Sequence, residues 1–334
     1  MRKPFILLLC AFLAFLVAYA NAEPYIAMVK DGTLHLREWA DIRSPSLGRY
    51  PRGTKVEVLH CGEEFCRVKT PDGKEGYMMK EFLTFENGLP PMEAAVPTPD
   101  QIRHKALERG IDPGKPMLAL TFDDGPQSTN TLKVLDSLEK YGARGTFFIL
   151  GSNIAGNEDI LKRMAQAGHQ IGVHSWSHLD FTLLPESGVW SEVTRTMDKI
   201  FEVTGQKATM IRPPYGASNR LSRRPLAQLK LPIILWSVDS LDWQTRSTAK
   251  TISVIRSKAA NGAIILCHDV WLSTAKAIDK VIPDLIAEGY QLVTVEEMMS
   301  FREQPLSPGW EYSHLDPEKI ELGLIPTPLN GTKP

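Results

Sequence analysis

The run Met117-Leu118-Ala119-Leu120-Thr121-Phe122-Asp123-Asp124-Gly125-Pro126 constrains this chain more than any other stretch. Its first six residues are mostly apolar, the pattern of a strand buried on both faces in a parallel sheet. Two adjacent carboxylates and a Gly-Pro breaker end it. Ser128-Thr129-Asn130 then offers a helix cap, and Leu132, Leu135, Leu138 and Tyr141 follow at helical spacing. Asp123 and Asp124 therefore fall at the C-terminal end of a strand, where α/β folds collect ligands and catalytic groups. Neighbouring strand residues point opposite ways, so one carboxylate could bind a metal while the other moves a proton. Taken alone, Asp-Asp-Gly-Pro is equally ordinary turn chemistry. Residues further along the chain decide between the two.

From residue 117 to about 300 strand and helix patterns alternate. Strands are expected at 117–122, 145–150, 170–174, 208–212, 232–238, 262–267 and 291–294. Helical patterns fall between most of them, as at 129–141, 158–167, 189–203, 249–259 and 275–288. Repeated βα units imply a parallel sheet, open or closed. About seven strands predict an α/β fold, a distorted and incomplete (β/α) barrel over 116–302.

The N-terminus reads as a secretory signal over residues 1–22. Arg2 and Lys3 precede an apolar core from Phe5 to Ala18, and Ala20-Asn21-Ala22 forms a cleavage site, with cleavage expected before Glu23. An uncleaved signal anchor is the alternative. Cleavage leaves no membrane span, and the chain is expected to be exported to a periplasm or to an extracellular, wall-associated place. Residues 23–86 read as a small all-β barrel domain with alternating segments such as Leu34-His35-Leu36 and Val56-Glu57-Val58. Cys61 and Cys66 bracket a four-residue loop between two of these strands, and a hairpin there would set the sulfurs at bridging distance. Two reduced thiols are the alternative. Residues 87–115 form a Pro-rich linker with one short helix around Gln101 to Arg109. Residues 303–334 read as a Pro-rich extension, in which Trp310 and Tyr312 are expected to pin part of the tail and the end from Pro326 is expected to be disordered.

More polar residues follow the later strands. His174-Ser175-Trp176-Ser177-His178 follows Ile171-Gly172-Val173 and spaces two imidazoles i, i+4, which face one way over one helical turn. With Asp124 they would make a two-His, one-carboxylate site suited to zinc or a neighbouring divalent metal. Arg212-Pro213-Pro214-Tyr215-Gly216 supplies a guanidinium able to hold a carboxylate. Asp239-Ser240-Leu241-Asp242-Trp243 and Leu266-Cys267-His268-Asp269 complete the series. Each group has a bland reading as a locally satisfied polar residue or a rigid loop. Five such strand ends in succession point to one functional rim. Cys267 alternates with His268 along its strand and is expected to be an inert buried thiol. Trp176, Trp243 and Trp271 lie near the motifs and could border a cleft there, whereas Trp236 is expected in the core.

Together these motifs closely resemble the polysaccharide deacetylases, the NodB-homology domain of carbohydrate esterase family four. Thr121-Phe122-Asp123-Asp124-Gly125-Pro126, His174-Ser175-x-x-His178, Arg212-Pro213-Pro214-Tyr215-Gly216, Asp239-x-x-Asp242-Trp243 and Leu266-x-His268 occur in the family's order. The resemblance implies that Asp124, His174 and His178 bind one divalent metal, zinc first and cobalt or another ion as alternatives. It implies Asp123 as general base steered by Arg212, His268 as general acid tuned by Asp239, and the Tyr215 N–H at the oxyanion. Trp243 and Leu266 would shape the pocket. The order of features in residues 34–83 resembles a bacterial Src-homology-3-type domain, which implies wall or peptide binding; a spacer role fits as well.

The expected partner is a glycan, and peptidoglycan is favoured because a wall-binding type of module precedes an exported catalytic domain. Chitin oligomers, exopolysaccharide and acetylxylan fit the same motifs. A catalytically silent glycan-binding protein and a structural envelope protein are the readings from other classes. With a net charge of −1, nothing in the composition calls for nucleic acid or an anionic membrane surface.

Overall fold

The structure is a computed structural model that describes residues 24–40, 42–62, 64–88, 96–301 and 306–314. The expected signal at 1–22, much of the expected linker at 89–95 and the tail from 315 lie outside the described residues. The chain divides between residues 93 and 94 into two compact units.

The first unit is one antiparallel sheet. Its strands are β1 (Tyr25–Val29), β2 (Thr33–Arg37), β3 (Ser46–Pro51), β4 (Lys55–Cys61), β5 (Phe65–Lys69), β6 (Glu75–Met79) and β7 (Leu83–Phe85), in the order β3-β2-β6-β5-β4-β1-β7. Alternation does the folding here: Leu34, Leu36, Val56 and Val58 turn inward onto Ala27, Val29, Val68 and Met78. β4 and β5 make the expected hairpin, Cys61 pairs with Cys66 in register, and the two are joined by a disulfide. Asn87 closes the unit, accepting from the Ile26 N–H at 2.9 Å and donating to the Pro24 carbonyl at 2.9 Å.

The second unit opens with α1 (Pro99–Glu108), started by a Thr98 and Gln101 capping box. This helix packs on α9 (Val295–Phe301), and Arg109 bonds Glu297 at 2.8 Å. Residues 98–111 thus contain the expected short helix but pack as part of the unit, in place of the expected stiff linker. β8 (Met117–Asp123), β9 (Thr146–Leu150) and β10 (Gln170–Ser175) are buried at every residue; β8 and β9 are mostly apolar, whereas β10 also buries Gln170, His174 and Ser175. β11 (Ile233–Ile234), β12 (Val238–Asp239), β13 (Ile264–His268) and β14 (Gln291–Leu292) follow. The parallel order is β10-β9-β8-β13-β12, with β14 also on β8. Bridges from Val173 to Ile211 and from Ile211 to Ile233 carry the sheet on to β11, whose chain returns through Ser237, bonded to the Ile264 carbonyl, to β12. This is the expected distorted barrel.

Two expected strands differ. The segment 208–212 contributes only the bridges of Ile211, because Pro213 and Pro214 stop the ladder. The segment 232–238 breaks into two pieces, because the carbonyls of Ile234 and Leu235 accept from the Arg212 side chain. β15 (Glu311–Tyr312) pairs in parallel with β11, so the tail is pinned as expected, but as a strand.

The helices α2 (Asn130–Lys140), α3 (Glu158–Gln166), α4 (Glu186–Thr204), α5 (Arg220–Gln228), α6 (Asp242–Thr245), α7 (Thr248–Lys258) and α8 (Leu272–Ala287) complete the unit. The core joins Leu118, Leu120, Phe122, Phe147 and Val173 to Leu135, Leu161, Val193, Ile255 and Ile278 from the helices. Phe122 is fully buried and stacks on Phe147 with centroids 4.9 Å apart. Phe122→Ala should cost about 3–5 kcal/mol of stability, read as a lower urea midpoint with unchanged slope.

Candidate active site

Arg212 has no exposed surface. Its Nε donates to the Ile234 carbonyl at 2.9 Å and its Nη2 to the Leu235 carbonyl at 2.8 Å. Its Nη1 donates to Thr121 Oγ1 at 2.8 Å and to Asp123 Oδ1 at 2.7 Å. The Phe148 ring lies 4.2 Å and the Trp236 ring 5.6 Å from the guanidinium carbon. The guanidinium thus fixes Asp123 and supplies its counter-charge. The other oxygen of Asp123 lies 3.9 Å from His174 Nε2.

β8 ends at Asp123, and at Asp124 the backbone turns to a φ of 74°. That turn overrides the strand alternation expected to part the two carboxylates, and both reach the same imidazole. Asn153 donates to the Asp124 carbonyl at 2.8 Å, which ties the turn to the end of β9. Gly125 is required there, since a Cβ would stand 2.4 Å from the Asp269 carboxylate. Asp269 is buried, accepts from Thr131 Oγ1 at 2.6 Å, and is pushed up to about 7 by burial.

Asp124 Oδ1 lies 3.5 Å from both His174 Nε2 and His178 Nε2. It is buried with no hydrogen-bond partner among the described residues. Ligand atoms of the three side chains lie within 4.8 Å of one another. His174 Nδ1 bonds the Arg212 carbonyl at 2.6 Å, so it carries the proton and leaves the Nε2 lone pair facing Asp124. Burial holds His174 below its ordinary value against the pull of Asp123 and Asp124, favouring the neutral ring a metal requires. An orphaned carboxylate oxygen beside two imidazole nitrogens fits a divalent cation of the zinc type with open positions. The histidines meet without the expected helical turn: His174 is the last residue but one of β10, and positive φ at Ser175 (102°) and His178 (60°) folds the loop back. Ser175 Oγ accepts the His178 N–H at 2.9 Å.

His268 stands opposite Asp123 in the β13–β8 register, so the two sit side by side on the rim. Its partner corrects one expectation. Asp242, not Asp239, bonds His268 Nδ1 at 2.9 Å, and the other Asp242 oxygen accepts the His268 N–H and Thr274 Oγ1, each at 2.7 Å. Asp239 instead accepts from the Leu241 N–H at 2.8 Å and Trp243 Nε1 at 3.4 Å. The reason is local: Leu241 takes a φ of 57°, and α6 starting at Asp242 swings that second carboxylate under β13. The Asp-x-x-Asp spacing does not reveal which carboxylate turns inward. Burial opposes charge on His268, but the bond and charge of Asp242, with Asp123 and Asp124 nearby, raise it to about 9. Asp242 is held below its ordinary value: burial opposes its charge, and His268 and Thr274 outweigh burial.

The remaining expected residues border this rim. Tyr215 takes a φ of 61°, is 68% exposed, and sets its ring edge-on to His178 at 4.7 Å. Its N–H donates to no group among the described residues. Trp243 is 47% exposed, and Leu266 is buried on the same face of β13 as His268. Cys267 is buried on the opposite face, where burial raises its thiol far above reactivity. Trp271 is covered by the Arg246 guanidinium, 3.1 Å from its ring centre.

Comparison with known proteins agrees with this geometry. The sequence pattern of the polysaccharide deacetylase family matches residues 110–234, and that of the bacterial SH3 domain matches residues 32–84. The chain is 39% identical over 197 residues to the peptidoglycan-N-acetylmuramic acid deacetylase PdaC of Bacillus subtilis, covering 59% of this chain and 42% of that relative. The matched stretch therefore spans less than half of PdaC. The chain is 33% identical over 188 residues to a peptidoglycan-N-acetylglucosamine deacetylase of Bacillus cereus, covering 55% of this chain and 68% of that relative. The solved structure of T48 deacetylase with substrate superimposes with a TM-score of 0.58 at 37% identity, covering 61% of this chain and all of that one.

Arg212→Met should leave Asp123 buried without its counter-charge and cost about 3–5 kcal/mol. Urea unfolding checks this, and a loss below about 1 kcal/mol would contradict the role given to the pair.

Proposed function

We propose that this chain, which belongs to the polysaccharide deacetylase family, hydrolyses N-acetyl groups on the N-acetylhexosamine residues of a glycan, with peptidoglycan the first candidate. One observation carries the reading. A three-ligand cluster, a carboxylate held by a guanidinium and an imidazole held by a carboxylate share one rim.

Asp124, His174 and His178 would hold one divalent ion, zinc first. When bound, such an ion polarises the acetyl carbonyl and acidifies water. Asp123, steadied by Arg212, accepts the proton of the attacking water through the oxygen that Arg212 leaves free. The Tyr215 N–H, held outward by its left-handed backbone, donates to the carbonyl oxygen as that oxygen gains charge. His268, kept protonated by Asp242, gives its proton to the amine nitrogen as the C–N bond breaks. Leu266 and Trp243 border the acetyl group and the sugar.

Peptidoglycan is favoured because the Bacillus relatives are named for it and a bacterial SH3 domain precedes the deacetylase domain. A wall substrate agrees with the expected export. No helix among the described residues is long and apolar enough to cross a membrane.

Acetate release from peptidoglycan, chitooligosaccharides and acetylxylan, with chelator and with zinc or cobalt restored, tests the reading. Chelator-sensitive release from an N-acetyl glycan is the expected result. Release from xylan alone would overturn the substrate, and metal binding without release from any of the three would favour a silent glycan-binding protein. Asp123→Asn should lower kcat by at least about a hundredfold while keeping the metal, whereas His174→Ala should lose it. Asp242 holds the His268 pKa up, so Asp242→Asn should move the alkaline limb of the kcat/KM profile to lower pH. An unmoved limb would remove His268 as the acid.

A further inference from the structure

Glu192 lies in the second turn of α4, 8% exposed. Its carboxylate accepts three hydrogen bonds, all from the loop between the two histidines. The Trp176 N–H donates to it at 3.0 Å, the Ser177 N–H at 2.8 Å and Ser177 Oγ at 2.8 Å. No lysine or arginine forms an ion pair with it among the described residues. A buried carboxylate without a cation depends on such donors. The loop therefore cannot move off α4 without stranding a charge.

The same helix grips the loop again one turn on. The Arg195 guanidinium covers the Trp176 indole at 4.1 Å. The same indole fills the space a side chain at Gly151 would need, where a Cβ would stand 2.4 Å from it. The Trp176 carbonyl accepts the Ser152 N–H at 3.0 Å. Trp176, half-buried, is thus fastened both to α4 and to the end of β9. Beyond these fastenings the loop holds two left-handed non-glycine residues, Ser175 and His178, a conformation that lasts only where surrounding structure enforces it.

We propose that Glu192 is a positioning residue that presets His178 for metal, acting through the Trp176 and Ser177 amides. The inference rests on reading Asp124, His174 and His178 as the metal site. His174 needs no such device, since it is fixed in β10 and by the Arg212 carbonyl. His178 lies outside the strand and owes its place to the loop, so weakening the clamp should act on metal affinity before chemistry.

The test is zinc titration of the full chain by calorimetry, beside urea unfolding of the metal-free protein. Glu192→Gln keeps the size but turns an amide N–H₂ toward N–H donors; its zinc Kd should weaken about 10–100-fold. Ser177→Ala removes a single bond and should weaken zinc severalfold while folding normally. Val193→Ala is the control, because Val193 is fully buried in the same helix and has no part in the clamp. It should lower stability and leave the zinc Kd unchanged. Equal zinc affinity in wild type, Glu192→Gln and Ser177→Ala would overturn the proposal, as would an equal loss in Val193→Ala. If Glu192→Gln does not fold, Ser177→Ala against Val193→Ala still decides. Failure of the wild type to bind zinc would instead sink the metal-site reading, a separate outcome.

Discussion

A guanidinium shut away from water persists only if its edges find acceptors and its charge finds a partner. Arg212 meets that demand by taking the carbonyls of Ile234 and Leu235 out of the sheet. The barrel is broken at that point as a result. The same side chain holds Asp123, while the Arg212 main-chain carbonyl fixes the proton on His174 Nδ1. One residue therefore positions the proposed base with its side chain and a proposed metal ligand with its backbone. The irregular wall of the barrel and the order of the site have a common origin.

The opposite wall of the rim repeats the logic with the charges exchanged. Asp242 is buried under β13 and meets His268 at both its ring and its main-chain N–H. One carboxylate is held by a permanent cation, and the other raises the pKa of an imidazole. The parallel register sets Asp123 and His268 side by side on the rim.

Backbone conformations that side chains seldom adopt complete the aim. Asp124, Ser175, His178, Tyr215 and Leu241 all take positive φ, and each lies at or beside a functional group. Regular strands deliver residues alternately to two faces, whereas this site needs several on one side. The turns supply that departure, and packed partners such as Asp269 behind Gly125 and Glu192 behind Ser177 hold it in place.

The strand-to-helix alternation, the barrel class and the placing of Asp123, Asp124, His174, Arg212 and His268 at strand ends were legible in the sequence, because mostly apolar runs mark β8 and β9, Ile171-Gly172-Val173 marks β10, and polar groups follow such runs directly. The Cys61–Cys66 pairing was legible for the same reason, as a hairpin sets its own register. The choice of Asp242 over Asp239 was not, since both lie after one strand and only the turn at Leu241 selects between them. Nor was Glu192, an ordinary helical glutamate until α4 packs against a loop 15 residues earlier in the chain. Local pattern determined which residues reach the rim, because periodicity and breakers act within a few positions. The tertiary structure alone decided which groups pair there, because burial turns a contact between distant segments into a requirement.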